Sequence, residues 1–294
     1  MSAPHRPAAG VGWMILTGLL FVGVTATVKV LGTRVPAPQA AFLRYLLGLV
    51  FLLPLWRQIR QTPMDRRHLA LFTGRGVIHA IGVSLWFYAM TRIPLAEVTA
   101  LNYLSPVYIT LGAALFLGEQ FSWPRFIAIC AALCGVGLIL RPGFREIDPG
   151  HMAMMGTAIL FAGSYLIAKL LSDEVSSTVV VAMLSIFTTL GLMPMALSVW
   201  VTPTWTEIAL LALVASLATA GHFTMTLAFQ SAPISVTQPV TFLQLVWATL
   251  LGYLFFAEGV DAFVLAGGTV IVASVVAISL REARKSRRTP PVAP

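Results

Sequence analysis

Charge is what this sequence has least of. Only 10% of its 294 residues are Asp, Glu, Lys or Arg, against about 25% in soluble domains. With 58% hydrophobic residues, that scarcity excludes an ordinary water-soluble globule. Cysteine is nearly absent too. The two present, Cys130 and Cys134, lie one helical turn apart in an apolar run, where a bridge would oppose helix geometry. They read as packing residues. No phosphate loop, nucleophile elbow or metal-ligand spacing occurs, so no catalytic residue, metal or cofactor is expected. The pairs Gly74/Gly76 and Gly135/Gly137 lie inside apolar runs and read as close helix packing rather than dinucleotide binding. A net charge of +8 would suggest nucleic acid in a soluble protein; here its distribution matters more, and no nucleic-acid partner is expected.

What is present is a repeat. At an offset of 139, Pro94 falls on Pro233, Thr110 on Thr249, Phe116 on Phe255 and Glu119 on Glu258. Near an offset of 140, Phe21, Lys29 and Pro54 fall on Phe161, Lys169 and Pro194, and at 139 Gly82 falls on Gly221. Each central copy opens with a proline, tolerated in a helix's first turn. About 22 mostly apolar residues follow, enough to cross a hydrocarbon layer of about 30 Å, and a glutamate closes each copy where the helix is expected to meet water.

Ten apolar spans are expected: 11–31, 38–56, 69–90, 95–117, 123–140, 151–171, 177–200, 205–229, 234–256 and 262–280. The first outlasts a signal-peptide core and carries half of a repeat unit, so it reads as a retained span. The expected fold is an all-α integral membrane protein: ten transmembrane helices in two five-helix repeats, 11–141 and 150–281, with a basic tail at 282–294. Five crossings leave the chain on the opposite side, so the second repeat enters inverted, with substrate bound between the halves. Twelve Lys and Arg side chains fall on the side holding the termini and four or five on the other, which places both termini in the cytoplasm. The lipid bilayer is the expected partner, and a monomer is expected.

The spans, the two related halves and the closing motifs Leu117-Gly118-Glu119 and Phe256-Ala257-Glu258 resemble the drug/metabolite transporter superfamily, nearest its EamA-type exporters. Trp86-Phe87-Tyr88 and Asn102-Tyr103 are similar to stretches of the YddG-like aromatic amino-acid exporters. The resemblance implies a ten-helix basket around a central cavity in a plasma or inner membrane. It further implies export of amino acids, aromatic or hydrophobic ones foremost, or of related amphipathic metabolites.

Polar side chains at membrane depth usually face protein or water, and they nominate the cavity. In the third span Arg75, His79, Gly82 and Trp86 share one face. His79 can orient a substrate or carry a proton, or simply tie two helices together. Arg75 is near enough to an end to snorkel. The fourth span offers Thr99, Asn102 and Tyr103, with Pro106 removing a backbone hydrogen bond. The ninth offers Gln244 and Trp247, with Pro239 as a break; Gly82, Pro106 and Pro239 are candidate gating positions. The sixth and eighth add Ser164, Tyr165 and His222. Aromatic faces with histidines and an amide suit a zwitterion carrying an apolar or aromatic side chain. Phosphate suits the set less well, because only Arg44 and Arg75 could form a central arginine cluster. No Asp lies inside a span, and Glu97 reads as a cap on the fourth span's first turn. A multidrug or organic-cation exporter of the same fold is the main alternative. A channel lacks a filter or charge ring, and an intramembrane enzyme lacks a nucleophile–base pair.

Overall fold

Each helix boundary follows from local chemistry. The computed structural model describes residues 7–116, 123–144, 146–172, 174–231, 240 and 243–288. Helix α1 covers Pro7–Leu31, and α2 covers Ala37–Gly48, continued by a 3-10 segment, Leu49–Leu55. Then come α3 (Trp56–Gln61), α4 (Arg66–Met90), α5 (Leu95–Asn102), α6 (Ser105–Phe116) and α7 (Trp123–Leu140). The rest forms α8 (Pro149–Ser172), α9 (Ser177–Ser198), α10 (Trp205–Ser231), α11 (Leu243–Phe256) and α12 (Ala262–Arg288). Asp65 starts α4 by accepting from the His68 N–H at 2.7 Å, which satisfies one of the first-turn donors that a helix leaves open. Pro54, lacking an N–H, sits in the 3-10 segment that ends the second span,.

Among the described residues, six stretches are long and apolar enough to cross a bilayer: 8–31, 37–54, 66–90, 149–168, 179–198 and 205–225. Shorter apolar helices occupy 126–140, 243–256 and 262–277. The span expected over 95–117 is broken into α5 and α6. Pro106 has no N–H to give the Asn102 carbonyl, so the chain tightens there: Tyr103 N–H donates to Ala100 O and Leu104 N–H to Leu101 O,. Pro239 lies outside the described residues, as does the opening of its span.

Packing pairs the helices across the chain. Helix α1 lies along α10, α4 along α8 and α9, and α7 along α12. Small residues permit the closest crossings. A Cβ on Gly135 would come 2.6 Å from the Gly267 carbonyl oxygen, and one on Gly76 would come 2.4 Å from Phe187 Cβ. Gly74 and Gly137 face open space, so each Gly-x-Gly pair supplies one packing residue rather than two. Cys130 and Cys134 are free and lie on the exposed face of α7; they do not pack in the interior.

The two ends of the bundle differ. At the end where α1 finishes, Lys29 pairs with Glu258, Arg34 with Glu207, Arg141 with Asp261 and His151 with Glu97. At the opposite end Ile59, Phe72, Leu171, Val175 and Val179 form an apolar cluster, and Arg67 pairs with Glu174 at 2.6 Å. The Arg67 guanidinium holds the exposed Glu174 carboxyl below the usual carboxylate range,. Two expectations are corrected here. Glu258 does not turn to water: it binds Lys29 and accepts the Leu95 N–H at 2.9 Å, because the first turn of α5 has no side-chain cap of its own,. Glu97 is buried and paired with His151 rather than serving only as a cap.

Candidate functional site

Midway along α4 the expected face turns inward onto α8. His79 is buried. Its Nε2 lies 2.9 Å from Tyr45 Oη of α2 and its Nδ1 lies 3.2 Å from Ser164 Oγ of α8. A neutral imidazole has one donor and one acceptor nitrogen, so both bonds form together. The ring stacks on Phe161 at a centroid distance of 4.6 Å. Phe161 also meets the edges of Trp86 at 6.2 Å and Tyr165 at 6.4 Å. This close approach requires Gly82, since a Cβ there would come 2.9 Å from the Phe161 ring, and Thr157 donates to the Gly82 carbonyl at 3.1 Å. His79, Gly82, Trp86, Ser164 and Tyr165 are thus gathered in one layer.

Two arginines join them. Arg75, one turn before His79, is 4% exposed and donates through Nη1 to the Val180 carbonyl of α9 at 3.0 Å. It does not snorkel to an interface. Arg44, 8% exposed, lies over the Tyr45 ring at 4.0 Å. Arg75, Arg44 and His222 lie within electrostatic range of His79, and Tyr165 within range of Arg75 and Tyr45. The most exposed member of the layer is Tyr165, 42% exposed; His222 is exposed as well, and its ring meets Phe21 at 5.2 Å.

The other candidates lie elsewhere. Gln244 packs against Gly18 of α1, and Trp247 joins a separate cluster around Val22, Leu95 and Ala248. Tyr103 sits at the α5–α6 break, packed on the main core, beside Asn102 Oδ1 and Ser105 Oγ, which are buried without hydrogen-bond partners. Pro106 is the second residue of α6. A cavity of about 330 Å³ opens at the end where α1 finishes, lined in part by Val28, Pro36, Tyr88 and Arg92; it includes none of the candidates. Phe161 and Tyr45 are the members of the layer that the sequence did not nominate, and the pairing of Phe161 with Phe21 in the repeat is the one trace of Phe161; Arg44 is one of the two arginines the sequence placed within spans.

Comparison with known proteins decides the family. The model of the EamA-like transporter family matches twice, over residues 8–141 and 148–280. The chain belongs to the EamA-like transporter family. Among relatives of this transporter are a riboflavin transporter of Vibrio cholerae, 30% identical over 98% of both chains, and a riboflavin transporter of Rhizobium johnstonii, 29% identical over 97% of this chain and 95% of its own. An S-adenosylmethionine uptake transporter of Rickettsia conorii is 26% identical over 95% of each. A crystal structure 18% identical in sequence covers 95% of this chain and all of its own with a TM-score of 0.62, which speaks for the fold. The family and these relatives are membrane transporters, not enzymes. The EamA-like chain is accordingly a multi-pass membrane protein.

Proposed function

We propose that this transporter carries a small amphipathic molecule with a flat aromatic or apolar body, by alternating access between two inverted five-span halves. The observation that carries the reading is the buried layer around His79: a stacked aromatic set with polar groups at mid-depth, where ionisable side chains are costly unless they serve a path or a ligand. Ten spans, halves at 11–141 and 150–281, and cytoplasmic termini with a basic tail at 282–294 belong to the same reading. Three observations support the inversion. The family model matches each half separately. Phe161 packs over Gly82 between α8 and α4, as Phe21 packs 3.3 Å from a Cβ position on Gly221 between α1 and α10; these are the residues the repeat pairs. Lys29, near the end of α1, donates to the Ile93 carbonyl, while Gly150, at the start of α8, packs on Ile93 and Arg92. These contacts support the reading that equivalent helices run in opposite directions.

Aromatic amino acids are the substrates we favour, moved outward, because the layer offers both ring faces and hydrogen-bonding groups. The names of the relatives include a flavin carrier and an uptake system, so labelled riboflavin is the second probe. Counterflow in proteoliposomes tests the reading: saturable uptake of labelled phenylalanine or riboflavin against preloaded unlabelled compound is expected. Non-saturating leakage, or no flux of either, contradicts it.

A further inference from the structure

The interior of this protein carries two guanidinium groups that no carboxylate pairs with among the described residues. Arg44 and Arg75 are the two basic residues that fall within spans rather than at their ends. Among the described residues, every acidic residue stands near a helix end, in a connecting segment or in the last turns of α12. Of these, Glu174, Glu207, Glu258 and Asp261 are paired with Lys or Arg there and Glu97 with His151. Among the described residues, no carboxylate is thus available at the depth of the two guanidinium groups.

A guanidinium presents five N–H donors and no acceptor. Arg75 uses Nη1 on the Val180 carbonyl, while its Nε is buried with no hydrogen-bond partner. Arg44 rests on the Tyr45 ring face, a contact that leaves its in-plane donors directed elsewhere. Tyr45 hydrogen-bonds His79, and Arg75 lies one turn from His79 on the same face. The two arginines therefore flank one imidazole, beside the Phe161, Trp86 and Tyr165 rings. Buried charges are ordinarily paired, and guanidinium forks match oxyanions with two parallel bonds.

We propose that Arg44 and Arg75 form an oxyanion subsite, so that the transported molecule presents a carboxylate or phosphate to them and lays its aromatic body on the adjoining rings. The inference rests on the carrier reading above and narrows it: organic cations are excluded, and an amino acid binds through its carboxylate. The position of Tyr165, the most exposed member of the layer, gives the ligand its way in. Val180 ties the subsite to α9, so occupation of Arg75 is felt by a third helix.

The test uses four probes of similar shape and different charge on the purified full-length protein: phenylpyruvate, phenyl phosphate, phenylalanine and phenylalanine amide. Each is measured by the shift it causes in thermal unfolding and by competition in counterflow. The expected result is that one or both pure anions act at concentrations about tenfold or more below the cationic amide; which of the two is stronger separates carboxylate from phosphate. In Arg44→Gln and Arg75→Gln that preference falls about tenfold or more, whereas a merely structural role moves all four probes alike. Should either glutamine variant fail to fold, the wild-type series and Arg44→Lys decide. Saturable flux of the amide with none of the anions overturns the subsite and leaves the carrier standing. Saturable flux of riboflavin with none of the anions likewise overturns the subsite alone, whereas absence of saturable flux for every probe and for riboflavin overturns both.

Discussion

Replacing His79 by alanine leaves Tyr45 Oη and Ser164 Oγ without their shared partner and removes the face on which Phe161 stacks. A buried polar group stripped of its bond costs about 1–3 kcal/mol, so modest destabilisation is expected together with loss of saturable flux. His79→Gln keeps one donor and one acceptor and is expected to restore folding but not transport. Thermal unfolding and counterflow on the same preparation separate the two effects. Gly76→Ala is a purely steric prediction. Its Cβ would sit 2.4 Å from Phe187 Cβ and 2.7 Å from the Phe187 carbonyl carbon, so backbone must shift, at about 1–3 kcal/mol; Gly74→Ala, facing open space, is expected to unfold as the wild type does. At this scale the sequence revealed one face of the site and hid the other. Arg75, His79, Gly82 and Trp86 carry the 3.6-residue period of a single helix, which any reader can trace. Tyr45 and Phe161 reach His79 from helices 34 and more residues away, where an apolar run gives no mark of what it will face. That Arg75 and Arg44 share a neighbour is hidden for the same reason: it is visible only once α2 and α4 are packed.

Among the elements, the broken fourth span shows how far a single residue type reaches. Pro106 announces a missing hydrogen bond in the sequence, and the break falls at the residue four positions earlier whose carbonyl loses its donor,. The end of α11 was less legible. Glu258 stands where a span should surface, yet its partners, Lys29 and the Leu95 N–H, lie 229 and 163 residues away. It clamps α1, α5 and α11 together at one end of the bundle. Glu258→Gln removes the charge but keeps an acceptor, and leaves Lys29, itself partly buried, with neutral neighbours alone among the described residues, such as the Ile93 carbonyl and the Phe256 ring. We expect this variant to weaken that closure: reagent access to a cysteine placed at Thr99 should rise several-fold from that end. Unchanged access would show that the clamp holds shape without governing closure.

For the molecule as a whole, the repeat was the most legible feature and the sense of insertion the most consequential. Residue pairs such as Phe21 with Phe161 and Gly82 with Gly221 can be read by offset alone, but that they recur as contacts between α1 and α10, and between α4 and α8, needs the packed bundle. Membrane sidedness rests on twelve basic residues against four or five, a charge count that the bundle's own contacts do not supply. Single-cysteine labelling in intact cells, in a Cys130→Ser, Cys134→Ser background, tests both at once with an impermeant maleimide. Arg60→Cys and Lys169→Cys are predicted to stay unlabelled until the membrane is opened, while Arg34→Cys labels from outside. If Arg60 and Lys169 report from different faces, the halves are not inverted and the account fails.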